Sequence, residues 1–301
     1  MIKHFLYVPF TGLGLHGGYR GDKWLRNRIK VFYRFVLPSI MNQSNQNFTV
    51  WFSWREEDRK NPIVQQFKQT LEGVRDFNFI FTYGGVCFYD DKYPPLEAKD
   101  RLLKSLQANL PDLKDLVGEA EWVYMTIQPS DDIYLSGAVE AIQAVPPFES
   151  MAIGYKDGYI MNYATKEIAE YNPDTLPPFY TIVFPSSVFL NPFEHIRYIG
   201  PYVSHEYVKD KFKLRTFVAR GFVVGTHGSN ISTIFNHPYK GRTLTNEEHD
   251  TVLIKTGTLF SEPIVSRNRL RLVARNILNL MPLQDRLRKA YHKLPEKIKI
   301  L

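Results

Sequence analysis

Short apolar runs and stretches of helical periodicity take turns along the first 135 residues. Phe5 to Phe10 is a β-branched and aromatic run, the first strand. Asp22 then caps a helix to about Val36, with Trp24, Ile29, Phe32, Tyr33 and Val36 near helical spacing. Phe48 to Trp54 is a second strand, and Arg55 to Lys60 (REEDRK) reads as a solvated charge run at its end. Ile63 to Val74 is an amphipathic helix, and Phe77 to Tyr83 is a third strand closed by Gly84-Gly85. Glu97 to Leu110 predicts another helix, with Leu102, Leu103, Leu106 and Leu110 on its core side. From Glu121 an apolar run climbs to a Pro129-Ser130 break, two acids follow (Asp131 and Asp132), and Gly137 to Val145 is helical again. Strands and helices alternating at this spacing predict an α/β fold with a mostly parallel, Rossmann-like sheet flanked by helices.

The second half has a different rhythm. Met151 to Ala164 predicts a hairpin turning at Lys156-Asp157-Gly158, and Phe179 to Leu190 is strand-like around Pro185. The stretch from Gly200 to Val208 leads into a charged helix. Gly221 to Thr226 is a buried strand ending in His227-Gly228-Ser229-Asn230, and Asn236 to Asp250 reads as polar loop. From Arg267 to Met281, Leu270, Val273, Ala274, Ile277, Leu278 and Met281 form one helical stripe opposed by arginines.

Composition narrows the classes. A length of 301 residues suits one large domain with an appendage, here residues 1–265 followed by a basic tail at 266–301. The larger part divides at residue 135 into a nucleotide-sugar half (1–135) and an acceptor half (136–265). The tail holds ten Lys and Arg against Asp285 and Glu296, which exceeds the whole chain's net charge of +7. The remainder is close to neutral, so a nucleic-acid-binding body is not expected. A single cysteine, Cys87, excludes an internal disulfide framework and fits a reducing compartment. No apolar run reaches the roughly 20 residues needed to span a bilayer, and the start of the chain reads better as a strand than as a signal peptide. The expected location is the cytoplasm, with residues 267–299 able to lie on an anionic membrane surface or to pack on protein.

Two motifs bear on chemistry. Gly12-Leu13-Gly14-Leu15-His16-Gly17 satisfies G-x-G-x-x-G in form, yet Gly17, Gly18 and Gly21 prolong the loop instead of opening a helix. No acid stands about 20 residues on, where Tyr33, Arg34 and Phe35 fall, so a dinucleotide site is not expected. Asp131 and Asp132 are placed at the carboxyl end of a buried strand, which is how an α/β sheet presents oxygen ligands to Mg²⁺ or Mn²⁺. The plainer reading is a pair of acids at the positive end of the next helix.

The segment LPSIMNQSNQNFTVWFSW, the helix carrying Ala98-Lys99-Asp100-Arg101, the strand-borne Ser130-Asp131-Asp132 and the late His227-Gly228-Ser229-Asn230 resemble, in that order, landmarks of GT-A-type glycosyltransferases. The likeness is closest to a rhamnosyltransferase family and covers roughly residues 4 to 235. It implies a GT-A-like fold and a hexosyltransferase that moves a sugar from a nucleotide-diphosphate donor to a glycan or glycolipid acceptor. By the same resemblance Asp131, Asp132 and His227 are the metal set for Mn²⁺ or Mg²⁺. Thr11, Arg55, Lys99, Arg101, Ser130, Ser229 and Asn230 are the expected donor-binding set, with Lys99 and Arg101 equally readable as the solvated face of their helix. The chain departs from the family at Pro129, where the first acid of an Asp-x-Asp-Asp pattern is expected, and at Pro9, where an arginine is expected. The resemblance therefore leaves the sugar open.

A glycosyl acceptor usually needs a base. His205-Glu206 is the sharpest local candidate, with Asp157 in its turn as the weaker one. Two alternatives remain: a nucleotidyltransferase on a similar sheet, and a non-catalytic carbohydrate- or membrane-binding protein of the same fold.

Overall fold

The computed structural model describes residues 1–11, 21–85, 95–174, 179–199, 208–227 and 233–258, with the backbone alone for 95–99 and 101. Strand β1 (Ile2–Pro9) sends Phe5 and Tyr7 to one face and Leu6 and Val8 to the other, and all four are buried. A strand apolar on both faces belongs in the middle of a sheet covered on both sides. Three parallel strands surround it, β2 (Thr49–Trp54), β3 (Phe79–Tyr83) and β4 (Trp122–Ile127), in the order β4-β1-β2-β3. Beyond β4 the same sheet continues through β9 (Tyr180–Pro185), β6 (Met151–Tyr155) and β10 (Lys213–Phe217), with β9 alone running against the rest. Among the described residues this sheet has seven strands, drawn from both sides of residue 135. The expected mixed α/β architecture with a mostly parallel central sheet is what the chain adopts.

The Leu6 and Val8 face is covered by α1 (Asp22–Val31), a π-helical turn (Phe32–Val36), α2 (Leu37–Met41) and α3 (Pro62–Glu72). Aromatic rings fill this layer, Phe67 meeting Phe10, Phe32, Phe52, Trp54 and Phe81 at centroid distances of 5.4 to 5.9 Å. The Phe5 and Tyr7 face is covered by α4 (Pro95–Val117), α6 (Ser186–Leu190), α7 (Pro192–Ile199) and α8 (Val208–Lys211). A second sheet has the order β12 (Lys240–Thr243), β8 (Ile168–Tyr171), β7 (Gly158–Asn162), β11 (Phe222–Thr226) and β5 (Ile133–Tyr134). The short helix α5 (Ala138–Gln143) packs with residues of both sheets, Ala138 and Ile142 lying beside Tyr124, Ile153, Ile160 and Phe222.

Several elements differ from the sequence expectation, each for a physical reason. Asp22 is the first helical residue and not the cap, which is Gly21 at φ 89°, a left-handed backbone suited to glycine. The helix does not stop at Val36; the π turn ends two residues before Pro38, whose ring and missing N–H would disrupt a regular α-helix. Helix α4 runs through Pro111 to Val117 because its apolar stripe continues with buried Leu113 and Val117. Ser186 to Leu190 is helix, not strand.

The predicted hairpin at Lys156-Asp157-Gly158 is not one, since β6 and β7 belong to different sheets. Gly158 is needed less for a turn than for packing, because a Cβ there would drive into the ring of Phe222. The stretch from Asn236 to Asp250 is not loop, for it holds β12 and the start of α9 (Asn246–Thr256). The glycine-rich 12–17 motif, residues 200–207 and the tail at 266–301 lie outside the described residues. Among the described residues no helix is long and apolar enough to cross a membrane.

Helix α9 begins in a capping box: Thr245 Oγ1 accepts from Glu248 N at 3.4 Å, and Glu248 Oε2 accepts from Thr245 N at 2.8 Å. We expect Thr245→Ala to cost about 1 kcal/mol of unfolding free energy, measured by urea titration. An unchanged midpoint would show that the box contributes nothing to stability.

Candidate functional site

Strands β2 and β3 follow β1 on one side, and β4 lies on the other. Open α/β sheets bind ligands at such a reversal, outside the carboxyl ends of the strands. The backbone at that point is tightly tied. Gln128 N donates to Tyr7 O at 2.8 Å, extending the register of β1 and β4 by one residue. Gln128 Nε2 donates to Pro129 O at 2.9 Å and Asp132 O at 2.8 Å, folding residues 129–132 into a turn beyond the strand. Pro129 ends the strand, and the two acids leave the turn in different directions.

Asp131 meets Arg28 of α1 in an ion pair through Oδ2, and the same oxygen lies 3.1 Å from His227 Nε2 just after β11. The side chains of Arg28, Asp131 and His227 are 6%, 14% and 6% exposed, so the charges face little water. Tyr163, just beyond β7, donates its hydroxyl to Asp131 O at 2.7 Å and stacks on Phe35 at 3.7 Å between centroids. Asp132 is buried, and its Oδ1 accepts from Gly225 N at 2.8 Å. Burial alone would raise the Asp131 carboxyl, but Arg28 and His227 outweigh it and hold Asp131 below the ordinary carboxylate value. Burial and the neighbouring Asp131 charge push Asp132 well above that value. The adjacent acids are thus shifted in opposite directions.

A second cluster closes the ends of β1 and β2. Thr11 Oγ1 donates to Asp58 Oδ2 at 2.5 Å, and Arg55 grips Asp58 with Nε at 3.1 Å and Nη2 at 2.9 Å. The REEDRK run is therefore not wholly solvated. It forms a 3₁₀ turn with Asp58 buried at 1% exposure, because Thr11 and Arg55 supply its partners. Thr11 and Arg55, two of the expected donor-binding residues, are thus brought together, each engaged with Asp58.

The remaining candidates are less united. Ser130 is buried in the turn before Asp131. Asp157 lies at the carboxyl end of β6, where the chain crosses from one sheet to the other. Lys99 and Arg101 are on α4, but their side chains are not described. His205, Glu206, Ser229 and Asn230 lie outside the described residues.

Sequence reasoning missed Arg28, Asp58, Tyr163 and Gly225. Arg28 had a signal: it sits three residues after Leu25 and four before Phe32, on the buried stripe of its helix. An arginine on such a stripe needs an internal acid. Gly225 had none, since its role depends on neighbours distant in sequence. A Cβ at Gly225 would collide with the Tyr163 ring and with the carbonyl of Asp131. We expect Gly225→Ala to cost about 1–3 kcal/mol as an overpacked site, read by denaturant titration, with loss of any ligand binding at Asp131. Full retention of both would mean that Tyr163 and Asp131 move apart freely.

The expected metal set was tested on this geometry. Asp131 and His227 do come together, but Asp131 Oδ2 already serves Arg28, and Asp132 is directed to Gly225 N. Among the described residues no group of three His, Cys, Asp or Glu side chains stands where it could hold a metal ion. A divalent ion on Asp131 at about 4 Å from the guanidinium would be repelled by roughly 8 kcal/mol at an effective dielectric of about 20. As placed among the described residues, Asp131, Asp132 and His227 do not fit Mn²⁺ or Mg²⁺.

No family model matches the chain, and no curated protein matches it. Two solved structures to which it is similar are a nucleotidyl transferase from Methanothermobacter thermautotroptrophicus and the inositol-1-phosphate CTP transferase from T. maritima. The first is 12% identical with a TM-score of 0.28, the alignment covering 75% of this chain and 87% of that one. The second is 10% identical with a TM-score of 0.32, covering 85% and 96%. At these scores neither likeness carries an argument.

Proposed function

We propose that the chain is a transferase acting on a nucleotide-activated sugar, with the donor diphosphate held at the carboxyl ends of β1 and β4. The observation that carries this reading is the buried Arg28, Asp131 and His227 cluster at the point where strand order reverses. The reaction is glycosyl transfer to a hydroxyl of a glycan or lipid-linked acceptor. The acceptor oxygen bonds to the anomeric carbon as the bond from that carbon to the phosphate oxygen breaks, and the electron pair leaves on the diphosphate. The acceptor proton passes to a base. Asp157, His205 and Glu206 remain the candidates, and the first lies at the same end of the sheet as the two acids. A cationic group held in a dry crevice stabilises the leaving diphosphate more strongly than it would in water.

The test follows two products from the same protein. Incubation with a panel of nucleoside diphosphate sugars should release nucleoside diphosphate. Incubation with nucleoside triphosphates and sugar 1-phosphates should release no pyrophosphate. The opposite pattern would make the chain a nucleotidyltransferase using the same crevice, and release of neither product by folded protein would point to a binding function.

A further inference from the structure

We propose that Arg28 is the resident cation of this site, and that the chain binds the diphosphate of its donor without a metal ion. The inference rests on the donor reading above and adds to it the group that meets the phosphates.

Arg28 is 5% exposed, yet it lies on the stripe of α1 that faces the sheet and not on the solvated side. Burying a guanidinium is costly unless its charge and its donors are both matched. Asp131 matches the charge through Nη1. The donors are not all matched: Arg28 Nε is buried and has no hydrogen-bond partner among the described residues. The Trp24 ring lies 5.4 Å from the guanidinium carbon, and its own Nε1 is likewise buried and unpartnered. Two N–H groups on adjacent side chains of one helix are thus left to donate, beside an ion pair at the ligand-binding end of the sheet. A buried polar group left in this way calls for a partner, and an ion with oxygen acceptors is one that satisfies it.

The chemistry suits an oxyanion with several acceptors. A guanidinium presents its N–H groups in a fixed plane, which matches the oxygens of a phosphate. Asp131 keeps the guanidinium in place through Nη1, leaving Nε as the free donor. A divalent cation would instead compete with Arg28 for Asp131 Oδ2, which the guanidinium and His227 already share. The arginine and the metal are therefore alternatives at one position, and the arginine is part of the chain.

The experiment is calorimetric titration with UDP, GDP, CDP and dTDP, each in EDTA and again in Mn²⁺, together with the paramagnetic resonance signal of Mn²⁺ mixed with the protein alone. At least one nucleotide should bind with the same affinity in both buffers, and the free Mn²⁺ signal should be unchanged by the protein. Arg28→Gln should weaken that nucleotide at least about tenfold, and Arg28→Lys less, since charge is kept while the planar fork is lost. Binding that requires Mn²⁺ would overturn the inference and leave the donor reading standing. Absence of binding by every nucleotide in both buffers would overturn the donor reading, and the inference with it. The comparison between buffers uses wild-type protein alone, so a poorly folding Arg28 variant does not decide the outcome.

Discussion

Asp131→Ala should destabilise the protein by about 3–5 kcal/mol, because it leaves the Arg28 guanidinium buried without its counter-charge. The carboxylate is shared with His227, so the loss also removes the contact that the imidazole makes with it at 3.1 Å. The Tyr163 hydroxyl is spared, since it bonds the backbone carbonyl of residue 131 and not the side chain. A double change that removes both ends of the ion pair separates the cause. Asp131→Ala with Arg28→Met should recover at least about 2 kcal/mol of the single-variant loss, since an apolar side chain needs no partner. Denaturant titration of the two singles and the double gives the coupling directly. If Asp131→Ala costs less than about 1 kcal/mol, the pair is exposed to water in solution and does not form the buried centre described here. A large coupling would also explain why α1 docks where it does, for its one inward charge would then specify its seat on the sheet.

That ion pair also shows what the sequence made legible and what it hid. The strands β1 to β4 were readable because each is a short run of apolar residues flanked by helices of clear period. The acids after β4 were readable because Pro129 marks the end of the strand. Their partners were not, since Arg28 and His227 stand 103 and 96 residues away along the chain from Asp131. The hairpin misreading has the same origin. Asp157-Gly158 is a sound local turn signal, but β6 pairs with β9 and β7 with β11, and those choices are made by segments later in the chain. Helix α9 was missed for a different reason: its buried positions are His249, Val252, Leu253 and Thr256, so half of its inward face is polar. The Thr245 to Glu248 capping box stood in the sequence as the one clear start signal. The resemblance to glycosyltransferases singled out Asp131, Asp132 and His227, but nothing in it pointed to Arg28, which pairs with Asp131.

The second large effect is loss of stability on mild acidification through two core histidines. His4 is 1% exposed, and both of its ring nitrogens are engaged. Its Nε2 meets Thr126 Oγ1 at 2.6 Å, and its Nδ1 faces the Gln143 amide nitrogen at 3.0 Å. That amide is not free to turn round, because Asn45 Nδ2 donates to Gln143 Oε1 at 2.6 Å. A proton on Nδ1 would therefore set donor against donor, beside the rings of Phe48 and Tyr124. Burial lowers His4 to about 3, and burial lowers His195 to about 4 against one favourable contact from the Phe189 carbonyl. Both groups titrate near 6.5 when unfolded, so the unfolded chain takes up protons first as pH falls. Their contribution is complete above about pH 6.5 and is lost as pH drops toward the folded values, at about 1.4 kcal/mol per unit for each. By pH 4.5 the two together amount to about 5 kcal/mol, a large part of a typical domain's stability. Asp132 acts in the opposite sense, since its raised carboxyl makes acidification favour the fold. The measurement is therefore a difference between wild type and the His4→Gln, His195→Gln double variant, in which the Asp132 effect cancels. Urea titrations at pH 7 and 4.5 should show wild type losing about 5 kcal/mol more than the variant. Parallel losses would mean that both histidines accept protons without unfolding, and that the core around β1 and β9 admits water.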